Sequence, residues 1–240
     1  MTTVVLLGRQ GSGKGTQGRL LAERRGWVHL SLGDELRRAV RAGGPRAAAV
    51  ETYLLTGELV PDSLALAVVR DSLARHRFGA GCVLDGYPRT VRQAELLADA
   101  PEGDVGLAVN LAVAPDVVLR RIARRRVCVR CDAVSTGTDG DAGSGADPSA
   151  CTVCGGPTMR RADDEPAVVR RRLARHEERS RPLLAWYAAR GLLVTVDGHG
   201  APKLVAERIE RAVVERLGRV DPAAVSGTSD ADRRLAVSSS

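Results

Sequence analysis

The residues best suited to chemistry are Gly8-Arg9-Gln10-Gly11-Ser12-Gly13-Lys14-Gly15-Thr16. They follow the apolar run Thr3–Leu7 and open a helical pattern that continues to Arg24. A buried strand, a glycine-rich turn and a helix start, in that order, make a cradle for an anion. The glycines let backbone N–H groups converge without Cβ interference, and the helix N-terminus adds positive partial charge. Lys14 would reach terminal phosphates, and a hydroxyl just inside the helix would hold Mg2+. Gly15 occupies the usual Ser/Thr place, so Thr16 supplies that hydroxyl one residue later. Of 36 basic residues, all but Lys14 and Lys203 are arginines. A compact ammonium fits such a loop where a planar guanidinium would crowd it.

A second set of reactive residues is Cys128-Val-Arg-Cys131 and Cys151-Thr-Val-Cys154. In a reducing compartment this paired spacing reads as metal ligands rather than disulfides, two thiolate knuckles suited to tetrahedral Zn2+. Four thiolates with Zn2+ sum to a charge of −2, and Arg126, Arg130 and Arg160 lie near enough in sequence to offset it. Those cations should also lower the thiol pKa values. All four positions are filled, so the metal is expected to be structural, replacing a hydrophobic core that about thirty residues could not build. Gly155-Gly156 permits the tight turn after the second knuckle. Cys82 opens a strand and reads as an inert core residue.

Strands must hold these groups in place, and the candidates are Thr3–Leu7, Val28–Leu30, Cys82–Leu84, Leu107–Val113 and Leu192–Val196. Continuous apolar runs bounded by turn residues fit strands buried on both faces. Helical patterns cover Lys14–Arg24, Asp34–Ala42, Arg46–Thr56, Asp62–Arg75, Val91–Ala98, Pro115–Arg126, Pro166–Ala189 and Pro202–Leu217. Asp34, Asp62 and Asp116 sit at or beside helix starts, and Gly26, Gly191 and Gly218 just past helix ends. The result is a doubly wound α/β fold, a five-stranded parallel sheet with helices on both faces, with ligands expected at the carboxyl ends of the strands. Residues 31–60 and 127–159 break the alternation and read as insertions, while 219–240 loses apolar density and is expected to be a disordered tail.

The chain of 240 residues fits one domain with insertions. Apolar residues make up 44% but aromatics only 2%, so Val, Leu and Ala must build the core. The net charge of +7 suits anionic partners, yet arginine is enriched throughout, which makes charge a weak pointer to nucleic acid. The chain enters a strand at once, with no leader pattern and no apolar run of membrane-spanning length, so a cytoplasmic protein without a membrane partner is expected.

Several separated motifs together resemble the bacterial adenylate kinases of the zinc-containing type. They are Gly8–Thr16 with Gln17, then Leu30-Ser31-Leu32-Gly33-Asp34-Glu35-Leu36-Arg37, then Gly57-Glu58-Leu59-Val60-Pro61-Asp62. Leu84-Asp85-Gly86-Tyr87-Pro88-Arg89-Thr90 with Gln93 is the most specific stretch, followed by Arg121, Arg125, the four cysteines, Arg161-Ala162-Asp163-Asp164 and Arg172. The resemblance implies a P-loop NTPase core at 1–30, 61–124 and 165–218, a helical NMP-binding insertion at 31–60 and a zinc lid at 125–164. It also implies a reaction, transfer of the ATP γ-phosphoryl group to AMP to give two ADP.

By the same resemblance Lys14, Arg89, Arg125, Arg161 and Arg172 would converge on the transferring group, with Asp85 orienting Mg2+ through water. ATP would meet Gly11, Ser12, Gly13, Lys14, Gly15, Thr16, Arg121, Arg125, Val134, Ser135 and Gly200. AMP would meet Leu32, Arg37, Glu58, Leu59, Val60, Gly86, Tyr87, Pro88, Arg89, Gln93, Arg161 and Arg172. Arg170 and Arg171 read as a solvated helix face. The site is complete within one chain, so a monomer is expected. The chain departs from the family pattern at Leu32, where Thr is usual, at Gln10, where Pro is usual, at Tyr87, where Phe is more usual, and near Val134-Ser135, where an aromatic–His pair is usual. The change at Leu32 keeps CMP or UMP open as acceptors. The cysteine knuckles among arginines keep open a zinc-ribbon nucleic-acid-binding NTPase, although they carry no aromatics for base stacking.

Overall fold

The computed structural model describes residues 2–43, 47–56, 58–75, 81–100, 104–131, 133–135, 150–161 and 164–218. The expected tail, most of the loop 136–150, and Arg46, Gly57, Ala162 and Asp163 lie outside the described residues. The elements in chain order are β1 (Thr2–Leu7), α1 (Lys14–Arg25), β2 (Val28–Ser31), α2 (Leu32–Ala42), α3 (Ala47–Thr56), α4 (Asp62–Arg75), β3 (Gly81–Asp85) and α5 (Val91–Ala98). They continue with β4 (Val105–Ala112), α6 (Pro115–Arg124), β5 (Arg126–Cys128), β6 (Val134–Ser135), β7 (Thr158–Met159), α7 (Pro166–Ala189), β8 (Leu193–Asp197) and α8 (Pro202–Leu217).

Five strands form one parallel sheet in the order β2-β3-β1-β4-β8. Successive side chains of a strand face opposite ways, and here both faces are covered. Val4 and Leu6 of β1 join Val83, Val109, Leu111, Ile122, Ile209 and Val213 in one core. Val5 and Leu7 join Leu30, Leu84, Ala108, Leu36, Tyr87, Leu183 and Tyr187 in the other. That double burial is why the strands read as unbroken apolar runs. The register sets Leu6 beside Asp85 and Leu7 beside Asn110, so the strand ends bearing polar groups gather around the start of α1. On the first face Arg25 ties α1 to α8 through Glu210 at 2.7 Å and lies over the Trp27 ring.

Helix boundaries follow local capping. Ser31 is both the last residue of β2 and the N-cap of α2, its hydroxyl accepting from Asp34 N at 3.4 Å. The helix therefore starts at Leu32, two residues ahead of the Asp34 start that the pattern predicts, and Asp34 and Glu35 sit in the first turn where the dipole favours them. Thr90 caps α5 in the same manner, and Pro115, Pro166 and Pro202 open α6, α7 and α8.

The predicted helix 115–126 is two residues too long. Arg125 leaves the helix with extended backbone (φ −63°, ψ 129°), because Arg126–Cys128 is needed as the central strand of a small antiparallel sheet, β6-β5-β7. Val127 pairs with Val134 on one side and Met159 on the other.

Candidate active site

The loop between β1 and α1 is shaped by contacts that leave no room for side chains. A Cβ on Gly8 (φ +135°) would lie 2.7 Å from the Leu111 carbonyl oxygen, and one on Gly11 (φ +79°) 2.7 Å from Ile122. Lys14 folds over this turn and donates from Nζ to the carbonyl oxygens of Gly8 and Arg9, both at 2.8 Å. Burial lowers its pKa to about 8, opposed by the nearby Asp85 carboxylate and assisted by Arg89 and Arg125. Asp85, at the carboxyl end of β3, packs on the start of α1, where a Cβ on Gly15 would stand 3.3 Å from its Oδ2. This contact accounts for a glycine in the usual Ser/Thr place.

A cavity of about 280 Å3 opens above the loop. Gly11, Gly13, Lys14, Gly15 and Thr16 form its floor with Asp85, Gly86, Pro88 and Arg89. Arg37, Glu58, Leu59 and Val60 border it from the 31–60 insertion, Arg121, Arg125, Val134 and Arg161 from α6 and the 125–164 segment, and Arg172 from α7. Each cation has an oxygen partner. Arg89 Nε donates to Gly86 O at 2.7 Å, and Arg121 donates to Ser12 O at 3.1 Å and Gly198 O at 3.2 Å. Arg125 grips the buried Asp164 carboxylate with Nε, at 2.7 Å, and with Nη2. Arg37 and Arg161 share Asp34 Oδ1 at 2.6 and 3.4 Å. Burial alone would raise the Asp34 pKa, but Arg37 first, then Arg161 and Arg19, hold it below its ordinary value.

Arg172 donates to the Leu54 carbonyl at 2.8 Å and Arg171 to that of Thr56 at 3.3 Å. Two arginines of α7 thus cap the C-terminal end of α3, where carbonyls lack helical partners and the dipole is negative. Arg171 is exposed, as a solvated position should be, yet it carries this contact.

Six of the anticipated residues are not on the cavity wall. Ser12 is buried beneath the loop, and Ser135 and Gly200 are exposed on the small sheet and on the β8–α8 connection. Leu32 and Tyr87 belong to the second core, because the Ser31 cap makes Leu32 the first helical residue and turns it inward with Leu36, Val50 and Val60. Gln93 is 1% exposed; its Oε1 accepts from Arg89 N and its Nε2 donates to Asp62 Oδ1, both at 2.7 Å, so it braces the 85–90 turn from below. The wall also holds residues to which motif reading gives no site role, including Arg19, Leu36, Leu54, Arg175, His176 and Arg179. Gln10 and Asp164 had no assigned role, although both contact the anticipated arginines.

The four knuckle cysteines gather at the small sheet with their sulfurs all within 4.8 Å of one another. Cys128–Cys154, Cys131–Cys151 and Cys131–Cys154 are 3.5, 3.6 and 3.3 Å apart. A tetrahedron with Zn–S bonds of about 2.3 Å has edges of about 3.8 Å, so the three close pairs would open slightly on Zn2+ and the set as a whole has the size of such a site. Backbone N–H groups of Arg130 and Val153 point at Cys128 and Cys151 Sγ at 3.3 and 3.4 Å. Arg126, one of the cations near enough in sequence to offset the thiolate charge, is held across the sheet by Thr158. A Cβ on Gly156 would stand 3.2 Å from Cys128 Sγ. Cys82 is buried in the core, and burial pushes its thiol up to about 12, in keeping with an inert role.

Residues 6–192 match the family model described as Adenylate kinase. The chain is 38% identical over 213 residues to the adenylate kinase of Citrifermentans bemidjiense, covering 88% of this chain and 98% of that protein. It is 38% identical over 213 residues to the adenylate kinase of Moorella thermoacetica (88% and 97% covered) and 34% over 212 residues to that of Chlamydia pneumoniae (87% and 96% covered). With a phosphate loop, a ring of cations and a cysteine-clasped sheet on one parallel α/β core, the chain belongs to the adenylate kinase family.

Proposed function

We propose that the chain is an ATP:AMP phosphotransferase in which the γ-phosphoryl group passes to an AMP phosphate oxygen, the β–γ bridge bond breaks, and two ADP result. The observation that carries this reading is the meeting of Lys14, Arg89, Arg125, Arg161 and Arg172 on one cavity beside Asp85. Phosphoryl transfer asks the protein for positioning and charge stabilisation rather than covalent chemistry. Gly11, Ser12, Gly13, Gly15 and Thr16 would bind the donor phosphates with Lys14, while Arg37 and Arg89 hold the acceptor phosphate.

Mg2+ bound with ATP supplies a Lewis acid for the phosphate oxygens; Thr16 and Asp85 would hold it, Asp85 through water. Cys128, Cys131, Cys151 and Cys154 would hold a structural Zn2+. Residues 31–60 act as the acceptor insertion, 125–164 as a lid that excludes water, and 1–30, 61–124 and 165–218 as the core. Arg121, Val134, Ser135 and Gly200 would meet the ATP base when the lid closes, and Leu32, Glu58, Leu59, Val60, Gly86, Tyr87, Pro88 and Gln93 frame or support the AMP side. Burial of Leu32 in the second core weakens the case for CMP or UMP, since its side chain replaces no polar wall. We take the working form to be a cytoplasmic monomer.

Initial rates of nucleoside diphosphate formation from MgATP with AMP, CMP, UMP and GMP test the reading. A marked preference for AMP is expected; transfer to none of the four overturns it.

A further inference from the structure

The phosphate loop carries an amide side chain that phosphotransfer leaves without a role. Gln10 stands between groups of opposite character: its Nε2 donates to Asp164 Oδ1 at 3.3 Å, and its Oε1 accepts from Arg172 Nη1 at 3.3 Å. Asp164, with a side chain 1% exposed, is the carboxylate that grips Arg125. Arg172 is the guanidinium that also caps α3 through Leu54. Asp164 lies two residues before α7 and Arg172 in its second turn, so a single amide of the loop reaches both the lid hinge and the helix that meets the insertion.

The chemistry of the bridge is selective. A carboxylate only accepts and a guanidinium only donates, so the linking group needs a donor and an acceptor side by side. Proline, alanine or lysine at this position cannot supply both, and asparagine has the amide on a stem one methylene shorter.

We infer that Gln10 is a positioning residue for phosphoryl transfer, its amide holding Arg172 and the Asp164–Arg125 pair in register with the loop that cradles the donor phosphates. This rests on the phosphotransfer reading above. Arg125 and Arg172 are among the cations meant to act on moving charge, and errors of about 1 Å in such groups cost on the order of a hundredfold. Gln10 also lines the cavity, and in this role it acts through its two partners.

The test uses Gln10→Ala and Gln10→Glu in the full chain, with kcat, the KM for AMP and the KM for ATP measured from about pH 8 to about pH 5. Gln10→Ala should lower kcat about tenfold and change the KM for AMP less than about twofold, the pattern of a contact felt in the transition state. In Gln10→Glu the new carboxyl faces Asp164 and Arg172, with Arg125 behind Asp164 and Lys14 on the same loop. With those three cations around it the carboxyl stays ionised across this range, so it keeps the bond from Arg172 but repels Asp164. Its kcat should therefore fall at least as far as that of Gln10→Ala with the KM for AMP little changed, a loss that a side chain of nearly the same size would not cause if Gln10 only filled space on the loop. If Gln10→Ala does not fold, Gln10→Glu carries the test. Both variants within twofold of wild-type kcat at every pH, or losses confined to KM, overturn the inference.

Wild type that makes no ADP from MgATP and AMP refutes the phosphotransfer reading by itself. Gln10 is then judged by amide hydrogen exchange at Arg125 and Asp164: about tenfold faster exchange in Gln10→Ala supports the bridge, and unchanged exchange overturns it.

Discussion

Gly15 offers a prediction whose magnitude can be worked from the structure. It is the second residue of α1 and its φ is not among the positive ones, so nothing in its backbone requires glycine. Replacing a helical glycine by alanine ordinarily stabilises a protein by about 0.4–1 kcal/mol, which for a chain of this size raises Tm by about 2 °C. The opposing effect is Asp85, whose Oδ2 would be 3.3 Å from the new Cβ and would have to retreat by a few tenths of an ångström. Threonine adds atoms about 1.5 Å beyond Cβ, so the carboxylate would have to move by about 1 Å from a strand end where Asp85 is 8% exposed. Gly15→Ala is therefore expected to melt about 2 °C higher with less than a tenfold loss of kcat. Gly15→Thr should lose about a hundredfold in kcat, even though it restores the hydroxyl that most phosphate loops carry there. Thermal unfolding by circular dichroism and a coupled ADP assay measure the two effects. Gly15→Thr with kcat within about threefold of wild type would refute the assignment of that glycine to Asp85.

Other outcomes follow from the same geometry. Lys14 must be protonated to receive a phosphate, and its pKa is lowered to about 8. The KM for ATP should stay flat below that pH and climb toward tenfold per pH unit above it, with proton uptake on binding seen by calorimetry in two buffers; a KM that stays flat to about pH 9.5 contradicts this. Lys14→Ala should abolish turnover and leave the fold intact by circular dichroism, and surviving activity would unseat the loop assignment. Asp164→Asn removes a carboxylate with 1% side-chain exposure from a guanidinium with 11%, and urea denaturation should show a loss of about 3 kcal/mol; a loss under about 1 kcal/mol would mean that the pair is solvated. Zn2+ added to the purified chain should be retained by wild type and lost from Cys131→Ser, measured by metal content after gel filtration, with turnover falling only as the 125–164 segment melts. Retained metal would show that three sulfurs suffice.

Much of the fold was legible because its signals are local. The strand predictions fall within two residues of the observed bounds, since runs such as Val4–Leu7 are apolar on both faces and end at turn residues. The limits of α4, α5, α7 and α8 agree with the prediction for the same reason, with proline or a capping residue at the start and glycine or a polar break after the end. The end of α6 was hidden because Arg124-Arg125-Arg126 contains no stop signal. Pairing of Val127 with strands from 134 and 159 supplies that stop, and pairing is not written in the segment itself. The inward turn of Leu32 depended on which of two neighbouring polar residues, Ser31 or Asp34, takes the cap. The cations of the site could be listed from motifs, but their partners could not: Gln10 meets residues 154 and 162 positions away.

The oxygen partners of those cations bear on how the enzyme turns over. If these cations bind the nucleotide as proposed, it does not meet bare charges; it competes with the carbonyls of Gly8, Gly86 and Leu54 and with the carboxylates of Asp34 and Asp164 for donors they already hold. Affinity is then the difference between two charge-assisted hydrogen bonds rather than the strength of one. When ADP departs, each guanidinium falls back on a protein oxygen a few ångströms away, so release leaves no buried cation stranded. For a reaction that runs in both directions between similar anions, this exchange keeps either nucleotide pair from becoming a trap.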